Sequence, residues 1–253
     1  MRYAALGLVQ GLTEFLPVSS SGHLVLAQKY LGIDTPGIVV EVALHVATVL
    51  AVLIYFRGRL WEMLKAGAGS RGGWLRFLGL LVVASLPAAV VGLALESRIE
   101  LLFESVQAVA VSLLFTAAVL AASSLLKRGD GKMANIAFLA ALAVGAAQAL
   151  AIAPGVSRSG MTIVAGLLVG LAGAEAATFS FLLSVPAILG AAVLEGAKIR
   201  GFEGNWAGLG LAFGVAFVAG LAAIYLVLAS VRGRGFGWFG AYCAVLGLVA
   251  LFT

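Results

Sequence analysis

Six stretches of this chain are apolar almost without interruption: 38–56, 77–95, 106–126, 174–196, 207–230 and 237–253. Each approaches the roughly 20 residues an α-helix needs to cross the hydrocarbon of a bilayer. The pattern predicts six transmembrane helices. Two other regions, 1–30 and 134–170, read differently. In each, a helical arm runs into a proline (Pro17, Pro154), then a serine-rich stretch with glycine, then a second short arm. Proline cannot continue a helix without losing a backbone bond. Polar, non-helical backbone at membrane depth is tolerated only where it is buried in protein or lines a cavity. Both regions are therefore read as re-entrant helix hairpins.

The two breaks nearly repeat each other. Val18-Ser19-Ser20-Ser21-Gly22 and Val156-Ser157-Arg158-Ser159-Gly160 stand 138 residues apart. Loop charge orients them. Ten of the sixteen basic residues fall in 57–76 (Arg57, Arg59, Lys65, Arg71, Arg76), in 127–132 (Lys127, Arg128, Lys132) and near 233 (Arg232, Arg234). Arg2, Lys29, Arg98, Lys198 and Arg200 are spread over the remaining loops and the N-terminal region. With the richer set cytoplasmic, the six spans alternate without conflict. The first hairpin then enters from outside and the second from inside, each followed by three spans. The expected architecture is an all-α integral membrane protein: six transmembrane helices plus two re-entrant helix hairpins in an inverted-topology repeat. It forms one membrane domain over 1–253, with halves 1–132 (hairpin 1–30) and 133–253 (hairpin 134–170). Inverted repeats with interrupted helices are a transporter-like architecture.

Composition narrows the class further. The chain is 62% hydrophobic and 11% charged, against roughly 25% charged in a soluble domain. The net charge of +5 lies in short loops, so nucleic acid is not an expected partner. A single cysteine, Cys243, excludes a disulfide framework. The first residues make a poor signal peptide because Glu14 interrupts the apolar run. Glycine-rich sequence, with 33 glycines, suits close helix contacts in lipid.

Arg158 is the strongest chemical signal. An arginine at bilayer depth costs several kcal/mol by insertion scales, so it should face the bundle interior and hold an anion. Its planar fork suits phosphate. Ser157 and Ser159 flank it at an expected helix N-terminus, where unpaired N–H groups favour phosphate, and Thr162 lies one turn on. The alternative is an arginine that braces the fold against an intramembrane glutamate. Gln10 and Glu14 share one helix face, as do Glu41 and His45, and His23 follows the first serine cluster. Acids with histidines could hold a divalent cation or move protons. The histidines also suit ordinary packing, and His45 is assigned no direct role. Glu41 suits an interfacial position, Glu62, Asp130 and Glu203 suit loops, and Glu96, Glu100 and Glu104 suit a solvated outer loop. Glu175 suits a helix N-terminus. Trp61, Trp74, Trp206 and Trp238 suit an interfacial belt.

The run Gln10-Gly11-Leu12-Thr13-Glu14-Phe15-Leu16-Pro17-Val18-Ser19-Ser20-Ser21-Gly22-His23 resembles the first signature of the undecaprenyl-diphosphate phosphatases, the bacitracin-resistance family. Pro154-Gly155-Val156-Ser157-Arg158-Ser159-Gly160-Met161-Thr162 resembles their second, and Phe179 to Pro186 a segment downstream of it. The resemblance implies a phosphatase of the inner (cytoplasmic) membrane. It would hydrolyse the C55 polyprenyl diphosphate to the monophosphate and recycle the carrier for peptidoglycan synthesis, at a site open to the outer side. By similarity, Glu14, Ser20, His23 and Arg158 are catalytic. Gln10, Ser19, Ser21, Ser157, Ser159 and Thr162 would bind substrate, and Glu14 would hold a divalent cation, magnesium or calcium. Gln10 departs from the glutamate of many relatives, which removes one negative charge. The expected partners are the polyprenyl diphosphate, membrane lipid and a second copy in a homodimer.

The mechanism this implies leaves the nucleophile open. Ser20 or His23 attacks the terminal phosphorus, or His23 activates water, with Glu14 orienting His23 or the cation. A helix start at Ser20 leans toward the serine. Two rivals stand beside it: a flippase for polyprenyl phosphate, and an ion or proton exchanger built on Glu14, Glu41 and the histidines.

Overall fold

The computed structural model describes residues 2–31, 38–67, 73–127, 129–197, 205–233 and 235–252. Arg71, Arg128, Lys198, Arg200, Glu203 and Arg234 lie outside them. Among the described residues the architecture is all-helical, with no strand. The first region is α1 (Arg2–Phe15), a break, then α2 (Ser20–Leu31), and the second is α8 (Phe138–Leu150), a break, then α9 (Arg158–Leu168). At 1.5 Å per residue α1 is about 21 Å long, short of the ~30 Å of hydrocarbon. The six apolar stretches become α3 (Ile38–Tyr55), α5 (Trp74–Ala94), α7 (Val106–Ser123), α10 (Gly173–Gly196), α11 (Trp206–Arg232) and α12 (Trp238–Phe252).

Four of these, α5, α7, α10 and α11, are long and apolar enough to cross a membrane. A fifth candidate is α3 taken together with α4 (Arg57–Lys65), bent by 58° at the junction. The chain is a multi-pass membrane protein. Large apolar side chains such as Val82, Val90, Leu93, Val193 and Val218 point outward, as lipid-facing positions should. Inside, Phe15, Phe179 and Phe181 are fully buried, and the Phe15 and Phe181 rings meet edge to face at 5.4 Å.

Small residues set how closely helices approach. A Cβ on Gly7 would lie 2.3 Å from the Ala212 carbonyl oxygen, so α1 packs backbone to backbone on α11. A Cβ on Gly145 would lie 2.3 Å from the Ala84 oxygen, so α8 packs the same way on α5. Gly7 and Gly145 carry the 138-residue offset of the serine breaks.

Two expected loops contain helices. Residues 57–65 form α4, which takes in Glu62, and Glu96–Phe103 form α6. Each packs onto neighbouring helices (α3 and α5, or α5 and α7), and short amphipathic helices of this kind give no 20-residue apolar signal. The basic-rich segments meet at one end. Arg59 pairs with Glu175 at 2.6 Å, and Glu175 also accepts from the Met133 N–H at 2.8 Å. Arg76 donates to the carbonyls of Ala134 at 2.7 Å and Ile136 at 2.5 Å. Gly131 pairs with the 170–172 turn. Glu175 does open α10, and it is also the clamp between α4 and this end of the bundle.

Candidate active site

Three helix ends converge. Glu14 lies in the last turn of α1, Ser20 opens α2 and Arg158 opens α9. Arg158 Nη2 donates to Glu14 Oε1 at 2.5 Å. Glu14 Oε2 accepts from Gln10 Nε2 at 2.9 Å and from Ser20 Oγ at 3.0 Å. His45 Nε2, on α3, stands 3.9 Å from the same oxygen. The Glu14 side chain is 6% exposed and that of Arg158 17%. Taking such a pair out of water is costly, and it is sustained only where extra hydrogen bonds fill the remaining lone pairs. Gln10 and Ser20 supply them.

Both breaks are capped alike. Gly22 N–H donates to Ser19 Oγ at 3.2 Å, and Gly160 N–H to Ser157 Oγ at 3.1 Å. The hydroxyls of Ser19 and Ser21 lie 3.2 Å apart, those of Ser157 and Ser159 3.3 Å. The two breaks also touch: Ser159 Oγ donates to the Leu16 carbonyl at 3.3 Å, and a Cβ on Gly22 would lie 3.1 Å from Gly155 Cα. Their turns differ. The first places Ser19 at φ +67°, and the second uses Gly155 at φ +92°. The second is pinned by Thr116 of α7, whose hydroxyl donates to the Gly155 carbonyl at 3.0 Å and accepts from the Ser157 N–H at 3.1 Å.

The arrangement offers three capabilities. A serine hydroxyl bonded to a carboxylate is the pattern of an activated nucleophile. A part-buried guanidinium at a capped helix N-terminus binds phosphate oxygens. Broken helices around a polar centre hold both at one place.

A family model described as bacitracin resistance protein BacA matches residues 3–249. The chain belongs to the BacA family. It is 39% identical over 251 residues to a protein named undecaprenyl-diphosphatase from Carboxydothermus hydrogenoformans, covering 97% of this chain and 94% of that one. A protein of the same name from Desulforudis audaxviator is 42% identical over 251 residues, with the same coverage. One from Methanobrevibacter smithii is 37% identical over 261 residues, covering 96% and 94%.

In this BacA-family chain, Gln10, Glu14, Ser20 and Arg158 come together. The guanidinium has an intramembrane glutamate as partner, the bracing alternative raised from the sequence, and that glutamate also holds Ser20. His23 turns elsewhere. Its Nδ1 meets the Ser19 carbonyl at 2.8 Å and its Nε2 the Tyr242 hydroxyl at 2.7 Å, so the expected contact with Glu14 is not formed. Thr162 is buried, and its hydroxyl is shared between the Arg158 carbonyl at 2.8 Å and Ser180 Oγ at 2.6 Å. Ser19, Ser157 and Ser159 are likewise buried, their hydroxyls bonded to backbone and to one another. Ser20, Ser21 and His23 keep partial exposure.

Thr116, Tyr242 and Ser180 were not singled out as site residues. Ser180 lies inside the third resembling segment, which was its only signal. Thr116 and Tyr242 had none, because a hydroxyl inside an apolar helix has no local pattern that names a partner 39 or 219 residues away. As for a cation, among the described residues no three His, Cys, Asp or Glu side chains come together. Glu14 is already neutralised by Arg158.

Proposed function

We propose that this chain hydrolyses undecaprenyl diphosphate to undecaprenyl phosphate and inorganic phosphate, returning carrier lipid to peptidoglycan synthesis. The observation that carries the reading is one carboxylate, Glu14, held between a guanidinium and a serine hydroxyl where two broken helices meet. The name shared by the relatives supports the substrate, and the part-buried Arg158 supports an anionic head.

In this reading the lipid enters from the outer leaflet of the cytoplasmic membrane with its tail in hydrocarbon. Arg158 and the N–H groups of the capped breaks take the diphosphate, and such charge neutralisation supplies most of the catalysis in phosphoryl transfer. Ser20 attacks the terminal phosphorus as Glu14 takes its proton. His23 stays at the rim on Tyr242. Gln10 holds Glu14 in place, and Ser19, Ser157, Ser159 and Thr162 fix the backbone that surrounds the phosphates. Glu14 would be the one carboxylate to hold magnesium or calcium brought in with the diphosphate, an ion that would neutralise phosphate charge.

The architecture that goes with this function is six spans and two re-entrant hairpins in inverted halves, 1–132 and 133–253. The equal 138-residue offsets of the caps and of the Gly7 and Gly145 joints support it.

The test is phosphate release from a polyprenyl diphosphate by purified protein in lipid vesicles. Release that disappears in Arg158→Ala and Glu14→Ala is the expected result. Lipid binding without release in the wild type would instead indicate a carrier.

A further inference from the structure

His45 is a partly open histidine on α3, and the reaction described above leaves it without a task. Its Nδ1 lies 2.8 Å from the carbonyl oxygen of Glu41, one turn back on the same helix. A carbonyl can only accept, so Nδ1 carries the proton. In the neutral ring Nε2 therefore holds a lone pair, and this nitrogen stands 3.9 Å from Glu14 Oε2. That same oxygen receives the Ser20 hydroxyl at 3.0 Å. The other carboxylate oxygen belongs to Arg158. Among the described residues, Glu14 is the one acid in ion-pair range of His45. On the helices packed around α3, Glu175 of α10 is taken by Arg59. Glu195, Tyr225 and Arg232 are the other titratable groups of α10 and α11, and Arg2 and Tyr3 those of α1 besides Glu14. On α4 the groups are Arg57, Arg59, Glu62 and Lys65.

We propose that His45 is the proton acceptor behind Glu14. This rests on the hydrolase reading and deepens it. A carboxylate that has taken a proton from the attacking oxygen loses the charge that holds Arg158 in place. It also cannot serve as base a second time. Proton transfer from Glu14 Oε2 to His45 Nε2, over a small side-chain swing or through one water, restores the carboxylate and leaves an imidazolium beside it.

Attack by Ser20 opens the cycle. The Oγ–H bond breaks, the proton reaches His45 through Glu14, the Oγ–P bond forms, and the bridging P–O bond breaks with its electron pair on the departing lipid monophosphate. Water then attacks phosphorus and gives its proton to Glu14. The P–Oγ bond breaks, Oγ takes that proton from Glu14, and His45 releases its own to solvent. If water attacks directly, its proton follows the same route to His45. His45 touches neither substrate nor phosphorus in this scheme and acts through Glu14.

The experiment measures phosphate release from a polyprenyl diphosphate in vesicles for wild type, His45→Gln and His45→Ala, the last with and without added imidazole. Loss of a positioned acid–base group costs on the order of 10²-fold in rate. The expected result is a fall of that size in kcat for His45→Gln, with KM within about twofold. Imidazole restores part of the rate to His45→Ala. A His45→Gln rate close to wild type overturns the proposal. So does a fall in rate that gains nothing from imidazole, since that describes packing alone. A wild type that releases no phosphate refutes the hydrolase reading itself and takes this inference with it.

Discussion

Replacing Thr116 by valine keeps the side-chain shape and deletes one hydroxyl. That hydroxyl serves two backbone groups, the Gly155 carbonyl at 3.0 Å and the Ser157 N–H at 3.1 Å. Thr116 is 1% exposed and Ser157 1% exposed, so water does not reach them as a substitute. A buried polar group left without a partner costs about 1–3 kcal/mol, and two are orphaned together. The expected loss is about 2–6 kcal/mol of unfolding free energy. The same bonds fix the turn that leads into Arg158, and misplacing a binding group by about 1 Å can cost 10²-fold in rate. Reversible unfolding in mixed micelles gives the first quantity, and phosphate release gives the second. Thr178→Val is the control: Thr178 is also buried, but its hydroxyl bonds only the Ala174 carbonyl one turn back in its own helix. It should stay within about 0.5 kcal/mol, because such back-bonding adds little to a helix. A Thr116→Val protein as stable as this control and as active as wild type would refute the argument that α7 holds the second break.

Arg158→Lys keeps the charge and loses the planar fork, so phosphate release should fall at least about 10-fold, beyond what any loss of folded protein on size exclusion explains. Gly145→Val and Gly7→Val each drive a side chain into a carbonyl oxygen 2.3 Å away. Both should lower the unfolding free energy by about 1–3 kcal/mol or more and reduce the yield of monodisperse protein. Arg59→Ala breaks a pair whose arginine is 35% exposed. After solvent screening its effect should stay below about 1 kcal/mol, with phosphate release unchanged. Tyr242→Phe frees His23 Nε2 without removing the ring stack at 5.6 Å. The melting temperature should hold, and a changed kcat would place His23 in the chemistry.

Much of this was legible in the residues. The six apolar runs became helices with ends within three residues of those expected, because lipid imposes length and polarity on a span more strictly than water does on a soluble helix. Arg158 is the one basic residue outside the loops and N-terminal region, and Ser157 and Ser159 flank it at the helix N-terminus that the sequence predicts. What stayed hidden depends on partners remote in sequence. Nothing near Thr116 announces the Gly155 carbonyl. His23 stands close to Glu14 in sequence, yet Tyr242, from the last helix, holds its outer nitrogen. Residues 57–65 and 96–103 read as loops because their helices are short and amphipathic, formed through packing on neighbours rather than through a long apolar run.

Ser19 shows why a survey of thermal stability would misjudge this centre. Its positive φ strains a residue with a side chain by about 1–2 kcal/mol, while its hydroxyl caps α2. Glycine at that point would relax the strain, forgo a few tenths of a kcal/mol of capping, and add about 0.5–1 kcal/mol of chain entropy to overcome. These contributions nearly cancel. A Ser19→Gly protein would melt almost where its parent does, and only turnover could register that the floor beneath Ser20 had changed.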